Sequence, residues 1–255
     1  MIPSIIHQVW IGKRNPPPWR YLETWQKLAD DMGWEYRLWT DDNLPDLQFA
    51  RTMYDEWENV HARGNLLEYE VLYRYGGVYF DADYVSSGRD FTSSLPLTSD
   101  LLGTTEHDPL VERPFGRHHN PRVGHEIEMS VVLQPGFLAS AAGHPQLRHW
   151  LELSQSVYTS VRNKGLRYWL VREPKRAIHG WKAIMRSPQI CGAFHLSRHL
   201  RHPITIVPLQ WLLQGQGSIA RYFVKYPHQL PKAQVDRMFE MMERGEPNWR
   251  ITQEL

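Results

Sequence analysis

Apolar positions along this chain follow two rhythms, one of short strands and one of helices. Ile5-Ile6-His7-Gln8-Val9-Trp10-Ile11 is a β-rich run closed by Gly12 and predicts a buried first strand. Asn15-Pro16-Pro17-Pro18 predicts a loop. From Trp19 to Met32 the period lengthens to that of a helix, with Tyr21, Leu22, Trp25, Leu28 and Met32 on one stripe and Gly33 as its C-cap. Trp34 to Trp39 alternates as a second strand. Thr40-Asp41-Asp42-Asn43 then supplies turn and capping residues, and its acids read as caps rather than catalysts. A second helix runs from about Ala62 to Tyr75, with Gly76-Gly77 as its stop and Val78-Tyr79-Phe80 as the strand that follows.

Strand, helix, strand, helix, strand predicts an α/β architecture with a largely parallel sheet. Ligands of such sheets bind beyond the carboxyl ends of the strands. That rule sets Val9-Trp10-Ile11, Trp39-Thr40-Asp41 and Asp81-Ala82-Asp83 along one rim. Further on, Leu101 to Thr105 predicts a strand and the polar stretch Glu106 to His125 a long loop. Met129 to Leu138 predicts a strand interrupted by a Pro135-Gly136 turn. A helix is expected within Ala139 to Ser156 after the Gly143-His144-Pro145 break, a late strand at Ile204 to Pro208, and a helix from Lys232 to Glu243 with Val235, Met238, Phe239 and Met242 on one face. Neither repeats nor a linker divide the chain. It reads as one domain over 1–255, with 1–105 as the half that carries the predicted ligand rim and 106–255 as a second half with a C-terminal helical part.

Composition narrows the class. A chain of 255 residues with 42% apolar and 22% charged residues is large enough for one sizeable core and ordinary for a soluble globular protein. Cys191 is the one cysteine, which excludes an internal disulfide framework and fits a reducing compartment. The N-terminus lacks the pattern of a signal peptide and the chain has no run of 18 apolar residues, so a cytoplasmic location is expected. The net charge of +1 hides a division. Glu23 to Glu70 holds twelve acids against four Lys/Arg, whereas Arg162 to His202 holds ten Lys/Arg against Glu173 alone. The basic segment 162–202 suits phosphates or a peripheral contact with an anionic membrane, or equally a solvated face. No nucleic-acid module is visible. The eleven Trp are mostly core or groove lining, and Trp169 and Trp181 read as core or interface residues or, as the alternative, as stacking faces for sugar or base rings.

The chemistry concentrates in Asp81-Ala82-Asp83. In a regular strand i and i+2 share a face, so the two carboxylates can converge on one site. Carboxylate oxygens suit hard cations such as Mg²⁺ and Mn²⁺, and Mg²⁺ is commonly held by one or two carboxylates plus substrate phosphates. Alone, an Asp-X-Asp is also a common strand-to-loop junction. Its context points elsewhere. The opening strand Ile2 to Gly12, the stretch Asn65 to Asp83 and the turn Ala142-Gly143-His144-Pro145 together resemble glycosyltransferase family 32, and through it the catalytic regions of clostridial glucosylating toxins. The match covers about the first 150 residues.

The resemblance implies a GT-A fold, Rossmann-like, with a mixed, mostly parallel sheet flanked by helices. It implies a nucleotide diphosphate sugar donor, UDP- or GDP-linked, and a divalent metal, Mn²⁺ or Mg²⁺, bridging Asp83 to the diphosphate. It further implies Asp81 at the ribose or donor sugar with Tyr79 beside it, a base pocket lined by Trp10 and Val9, and retention of anomeric configuration. The chain departs from the family at Asn65, where Asp is usual, and at Glu68, where Arg is usual. Those positions help hold ribose and sugar in the family. Glu68 reverses a charge, which opens a second reading as a nucleotide-sugar-binding relative with weak or no turnover. Another nucleotide-dependent transferase is a third. His228 is a candidate late metal ligand, with a surface His before a proline turn as its alternative. Glu126 and Glu128, ahead of a predicted strand, are candidates to face the acceptor, a glycan or lipid-linked glycan of the kind used in polysaccharide biosynthesis. Basic residues within 162–201 could add to the diphosphate clamp.

Overall fold

The computed structural model describes residues 1–12, 16–56, 60–92, 95–105, 133–172, 200–207, 223–225 and 232–244. In chain order these form β1 (Ile5–Val9), α1 (Trp19–Met32), β2 (Glu35–Trp39), α2 (Arg51–Glu56), α3 (Val60–Tyr75), β3 (Gly77–Phe80), β4 (Tyr84–Ser86), β5 (Leu101–Thr105), β6 (Leu133–Ser140), α4 (Pro145–Arg172), β7 (Thr205–Val207), β8 (Phe223–Lys225) and α5 (Lys232–Glu243). Six strands make one sheet in the order β2-β1-β3-β6-β5-β7, and β4 pairs with β8 in a separate ribbon. The pairs β1–β2, β1–β3 and β5–β7 are parallel, while β6 runs antiparallel to both β3 and β5. One reversed strand in an otherwise parallel sheet is the mixed, mostly parallel α/β fold expected from the sequence.

Helices cover both faces. β3 is fully buried, and its alternating side chains show why. Val78 and Phe80 join Ile6, Trp25, Leu28, Leu102, Phe137 and Ala139 on the α1 side. Tyr79 joins Val9, Leu66, Leu67, Val71, Leu138 and Trp150 on the side of α3 and α4. Trp25 of α1 stacks on Phe80 at 4.0 Å between centroids. On the far side Tyr69 of α3 lies 5.8 Å from Trp150 of α4.

α3 meets β3 through Gly76 and Gly77, at φ +66° and +104°. A Cβ on Gly76 would come within 2.7 Å of the Ala142 nitrogen, and one on Gly77 within 2.7 Å of the Ile5 carbonyl oxygen. The joint therefore needs glycine for both its backbone conformation and its lack of side-chain volume. Beside it, His7 is wholly buried. Its Nε2 donates to the Gly76 carbonyl at 2.8 Å and its Nδ1 accepts from the Trp39 indole at 3.0 Å.

Several expectations shift. β1 ends at Val9 rather than Ile11, leaving Trp10 to Gly12 as loop. α3 starts two residues earlier than expected. Pro135-Gly136 is not a turn but lies inside β6. There the pairing with β5 jumps from Gly103 opposite Leu138 to Thr104 opposite Gln134, so a bulge absorbs the proline. α4 begins with proline in its first turn, where a missing N–H costs nothing, and extends to Arg172. In α5, Val235, Met238 and Phe239 are buried as expected, together with Met241. Among the described residues no helix is long and apolar enough to cross a membrane.

Candidate active site

The strand order fixes where a ligand can bind. The chain passes from β1 to its neighbour β2 on one side, then crosses through α3 to β3 on the other side of β1. Between the carboxyl ends of β1 and β3 the connections diverge, which opens a crevice. A cavity of about 500 Å³ lies there. Its walls come from the β1 tip (Val9, Trp10, Ile11, Gly12), the first turns of α3 (Val60, His61, Gly64, Asn65) and the end of β3 (Tyr79, Asp81, Ala82, Asp83). Val9, Trp10, Asn65, Tyr79, Asp81 and Asp83, all singled out from the sequence, thus share one cavity. The predicted rim holds for two of its three segments, and Asp41 stands behind the wall.

Asp81 and Asp83 reach one cavity for a reason other than strand alternation. β3 ends at Phe80, and Asp81 to Tyr84 is a tight turn closed by the Tyr84 amide donating to the Asp81 carbonyl at 3.0 Å. Neighbouring elements secure that turn. The Asp81 amide donates to the Gly136 carbonyl of β6 at 3.0 Å. The Gln8 side chain donates to the Asp81 carbonyl at 3.1 Å and accepts from the Tyr36 hydroxyl at 2.8 Å. The Trp25 indole donates to the Tyr84 carbonyl at 2.8 Å. Tyr79 donates to Asp81 Oδ1 at 3.0 Å. Burial first, then the nearby Asp81 and Glu68 carboxyls, push the Tyr79 pKa far up, so it remains a hydroxyl donor. Gly136 is a neighbour that the sequence did not disclose. A Cβ there would lie 2.5 Å from Asp81 Oδ2 and collide with the Tyr84 hydroxyl.

Asp81 and Asp83 suit a hard divalent cation. Both residues line a cavity large enough for a further ligand, and the described residues offer no cluster of three or more His, Cys, Asp or Glu. A cation held by these two side chains would complete its coordination with phosphate oxygens and water, the habit of Mg²⁺ in nucleotide sites.

Glu68 sits one turn along α3 from Asn65, behind the cavity wall. It is fully buried, and neither carboxyl oxygen has a hydrogen-bond partner among the described residues. Burial, reinforced by the Asp81 charge, pushes its pKa well above the usual carboxylate range and favours the neutral form. Glu126, Glu128 and His228 lie outside the described residues, as do Trp181 and residues 173–199 of the basic segment; the Trp169 side chain is likewise not described.

Residues 19–92, from α1 through the Asp-X-Asp turn, match the family described as a glycosyltransferase sugar-binding region containing a DXD motif. The resemblance read from the sequence is borne out over that segment. Among curated relatives, inositol phosphoceramide mannosyltransferase 3 of Schizosaccharomyces pombe is 37% identical over 89 residues, 32% of this chain and 24% of its own length. Mannosyl phosphorylinositol ceramide synthase SUR1 of Saccharomyces cerevisiae is 35% identical over 129 residues, 43% of this chain and 33% of its own. The chain therefore spans about a quarter to a third of these relatives. A crystal structure of a glycosyltransferase involved in the glycosylation of the major capsid of PBCV-1 aligns over 94% of this chain and 100% of that chain, at 12% identity and a TM-score of 0.44.

Proposed function

We propose that the protein is a metal-dependent, retaining glycosyltransferase that moves a sugar from a UDP- or GDP-linked donor to a glycan or lipid-linked acceptor. The observation that carries this reading is the Asp81–Tyr84 turn. It sits at the sheet's crossover crevice, within a segment that matches a glycosyltransferase sugar-binding region. Mannosyl donors and inositol-phosphate ceramides come first among substrates to try, because the curated relatives carry those names.

In this reading Val9 and Trp10 line the base end of the cavity, with Asn65 at the ribose. Tyr79 and Asp81 lie at the donor sugar, Asp83 and Asp81 are the cation ligands, and His228 is a further candidate ligand. A divalent cation there would act as a Lewis acid on the leaving diphosphate and stabilise its developing charge by several kcal/mol. Glu126 and Glu128 stand on the acceptor side. Retention would proceed through a carboxylate nucleophile, or through front-face attack with the diphosphate oxygen taking the acceptor's proton. A peripheral contact of the basic segment 162–202 with an anionic membrane, from the cytoplasmic side, would bring a lipid-linked acceptor within reach. Glu68 favours a second reading, donor binding without turnover, because a neutral buried carboxyl takes the place of a family cation.

The test is donor hydrolysis with Mn²⁺ across a panel of UDP- and GDP-sugars. Turnover that falls by about 100-fold or more in Asp83→Asn supports catalysis, on the scale expected for loss of charge stabilisation. Metal-dependent binding with no hydrolysis or transfer supports the second reading. A protein that binds neither metal nor any nucleotide sugar overturns both.

A further inference from the structure

The acids that follow β2 read from the sequence as caps, and Asn43 does cap the turn, its Oδ1 accepting from the Thr40 amide at 2.6 Å. Asp41 does something else. Its Oδ2 accepts from the Gly12 amide at 2.6 Å. Its Oδ1 accepts from the Tyr54 hydroxyl and from Arg63 Nη2, both at 3.0 Å. The Arg63 guanidinium lies 4.1 Å from the centre of the Tyr54 ring, which closes the cluster. One carboxylate thereby links the tip of β1, α2 and α3.

Two of those three elements form opposite walls of the cavity. Gly12 sits at φ +92°, and a Cβ on it would meet the Val60 side chain at 3.0 Å, so the β1 tip and the first turn of α3 are in close apposition. Gly12, Val60, His61 and Gly64 all line the cavity, whereas Asp41 is not among its lining residues. Burial raises the Asp41 pKa, but the Gly12 amide, Tyr54 and Arg63 outweigh it and hold the carboxyl below its usual range. It is therefore ionised at neutral pH, and its bonds are charge-assisted.

We propose that Asp41 is a positioning residue for the donor: it holds the β1 tip against α3 and so sets the width of the cavity end formed by Ile11, Gly12, Val60 and His61. This inference rests on the glycosyltransferase reading of the same cavity. Asp81 and Asp83 come from a different part of the wall, the turn after β3, so losing Asp41 weakens donor binding and leaves the chemical step largely intact.

The test compares wild type with Asp41→Ala, Asp41→Asn and, as a control on the exposed neighbour, Asp42→Asn. Asp41→Asn keeps one acceptor oxygen and the side chain's size, and so serves if the alanine variant folds poorly. Two quantities are read: donor KM and kcat in the hydrolysis assay, and hydrogen exchange of the Trp10–Gly12 amides in the protein without ligand. For Asp41→Ala the expected result is a donor KM raised by about 10- to 100-fold with kcat within about threefold, the scale of one charge-assisted bond. Exchange at the β1 tip is expected to accelerate by about tenfold or more. Asp41→Asn is expected to fall between, and Asp42→Asn to match wild type. Exchange unchanged in Asp41→Ala overturns the proposal whether or not a donor binds. Faster exchange with KM unchanged, or with kcat falling instead of KM rising, also overturns it, since a strut with no bearing on the cavity would give that result. If wild type itself binds no nucleotide sugar, the glycosyltransferase reading falls and this inference falls with it.

Discussion

His7 should make the stability of this fold depend on pH in a way one substitution can isolate. The Trp39 indole is a donor only, so the His7 Nδ1 that faces it at 3.0 Å must carry a lone pair. Protonation would set two N–H groups against each other in a site closed to water. The pKa of this imidazole is brought down from 6.5 to about 4, by burial first and by Arg37 to a lesser degree, against the Gly76 carbonyl and Glu35, which act the other way. The unfolded chain binds a proton near pH 6.5 and the folded chain does not until about pH 4. Stability from His7 is therefore fully present above pH 6.5 and is lost as pH falls through that interval. With those two values linkage gives a loss of about 2 kcal/mol by pH 5, approaching about 3 kcal/mol below pH 4. The assay is urea unfolding followed by tryptophan fluorescence at pH 7.5 and pH 5.0, for wild type and His7→Gln. Glutamine keeps a donor and an acceptor but cannot titrate. All other titrating groups are common to both proteins, so the difference between the two losses reports His7. Wild type should lose about 2 kcal/mol more than the variant. Equal losses, within about 0.5 kcal/mol, would mean that His7 is not held neutral and that the Trp39–His7–Gly76 chain of bonds is misassigned.

Two further outcomes are expected. Gly136→Ala would press a methyl group onto the Asp81 carboxylate and the Tyr84 hydroxyl. A displacement of about 1 Å at Asp81 should cut donor turnover by roughly 100-fold while circular dichroism stays native; full activity would show that the turn can yield. Glu68→Met removes a buried carboxyl that has no partner among the described residues, and should raise the free energy of unfolding by about 1–3 kcal/mol, read by urea denaturation. A destabilised variant would mean that Glu68 has a compensating contact.

Much of this was legible in the sequence. Sustained periodicity located α1, β5 and α5 at their observed limits, because a long amphipathic stripe or a bounded apolar run is a local signal. α2, with six residues, is too short to declare a period. The segment leading into it is held instead by Glu70, which accepts from the amides of Gln48, Phe49 and Ala50 across a gap of about 20 residues. β4 and β8 exist through each other, with Ser86 opposite Phe223, a pairing no local pattern announces. Within the site, Asp81 and Asp83 were visible because their residue types name their chemistry. Gly136 and Asp41 were not. The first is defined by the volume it leaves empty, and the second by donors from three separate parts of the chain.

The Asp81–Tyr84 turn is tied down by Gln8, Tyr79, Trp25 and Gly136, which sit on four different elements. Of these, only Tyr79 touches the cavity. A survey of natural variants that scored harm by proximity to the ligand would therefore misclassify the other three. Substitutions at Gln8 and Gly136 would look like neutral changes in the interior, and their effect would surface as lost turnover in a protein that still folds. At Trp25, wholly buried and stacked on Phe80, lost turnover would be put down to lost stability alone, a cost of about 3–5 kcal/mol on truncation to alanine.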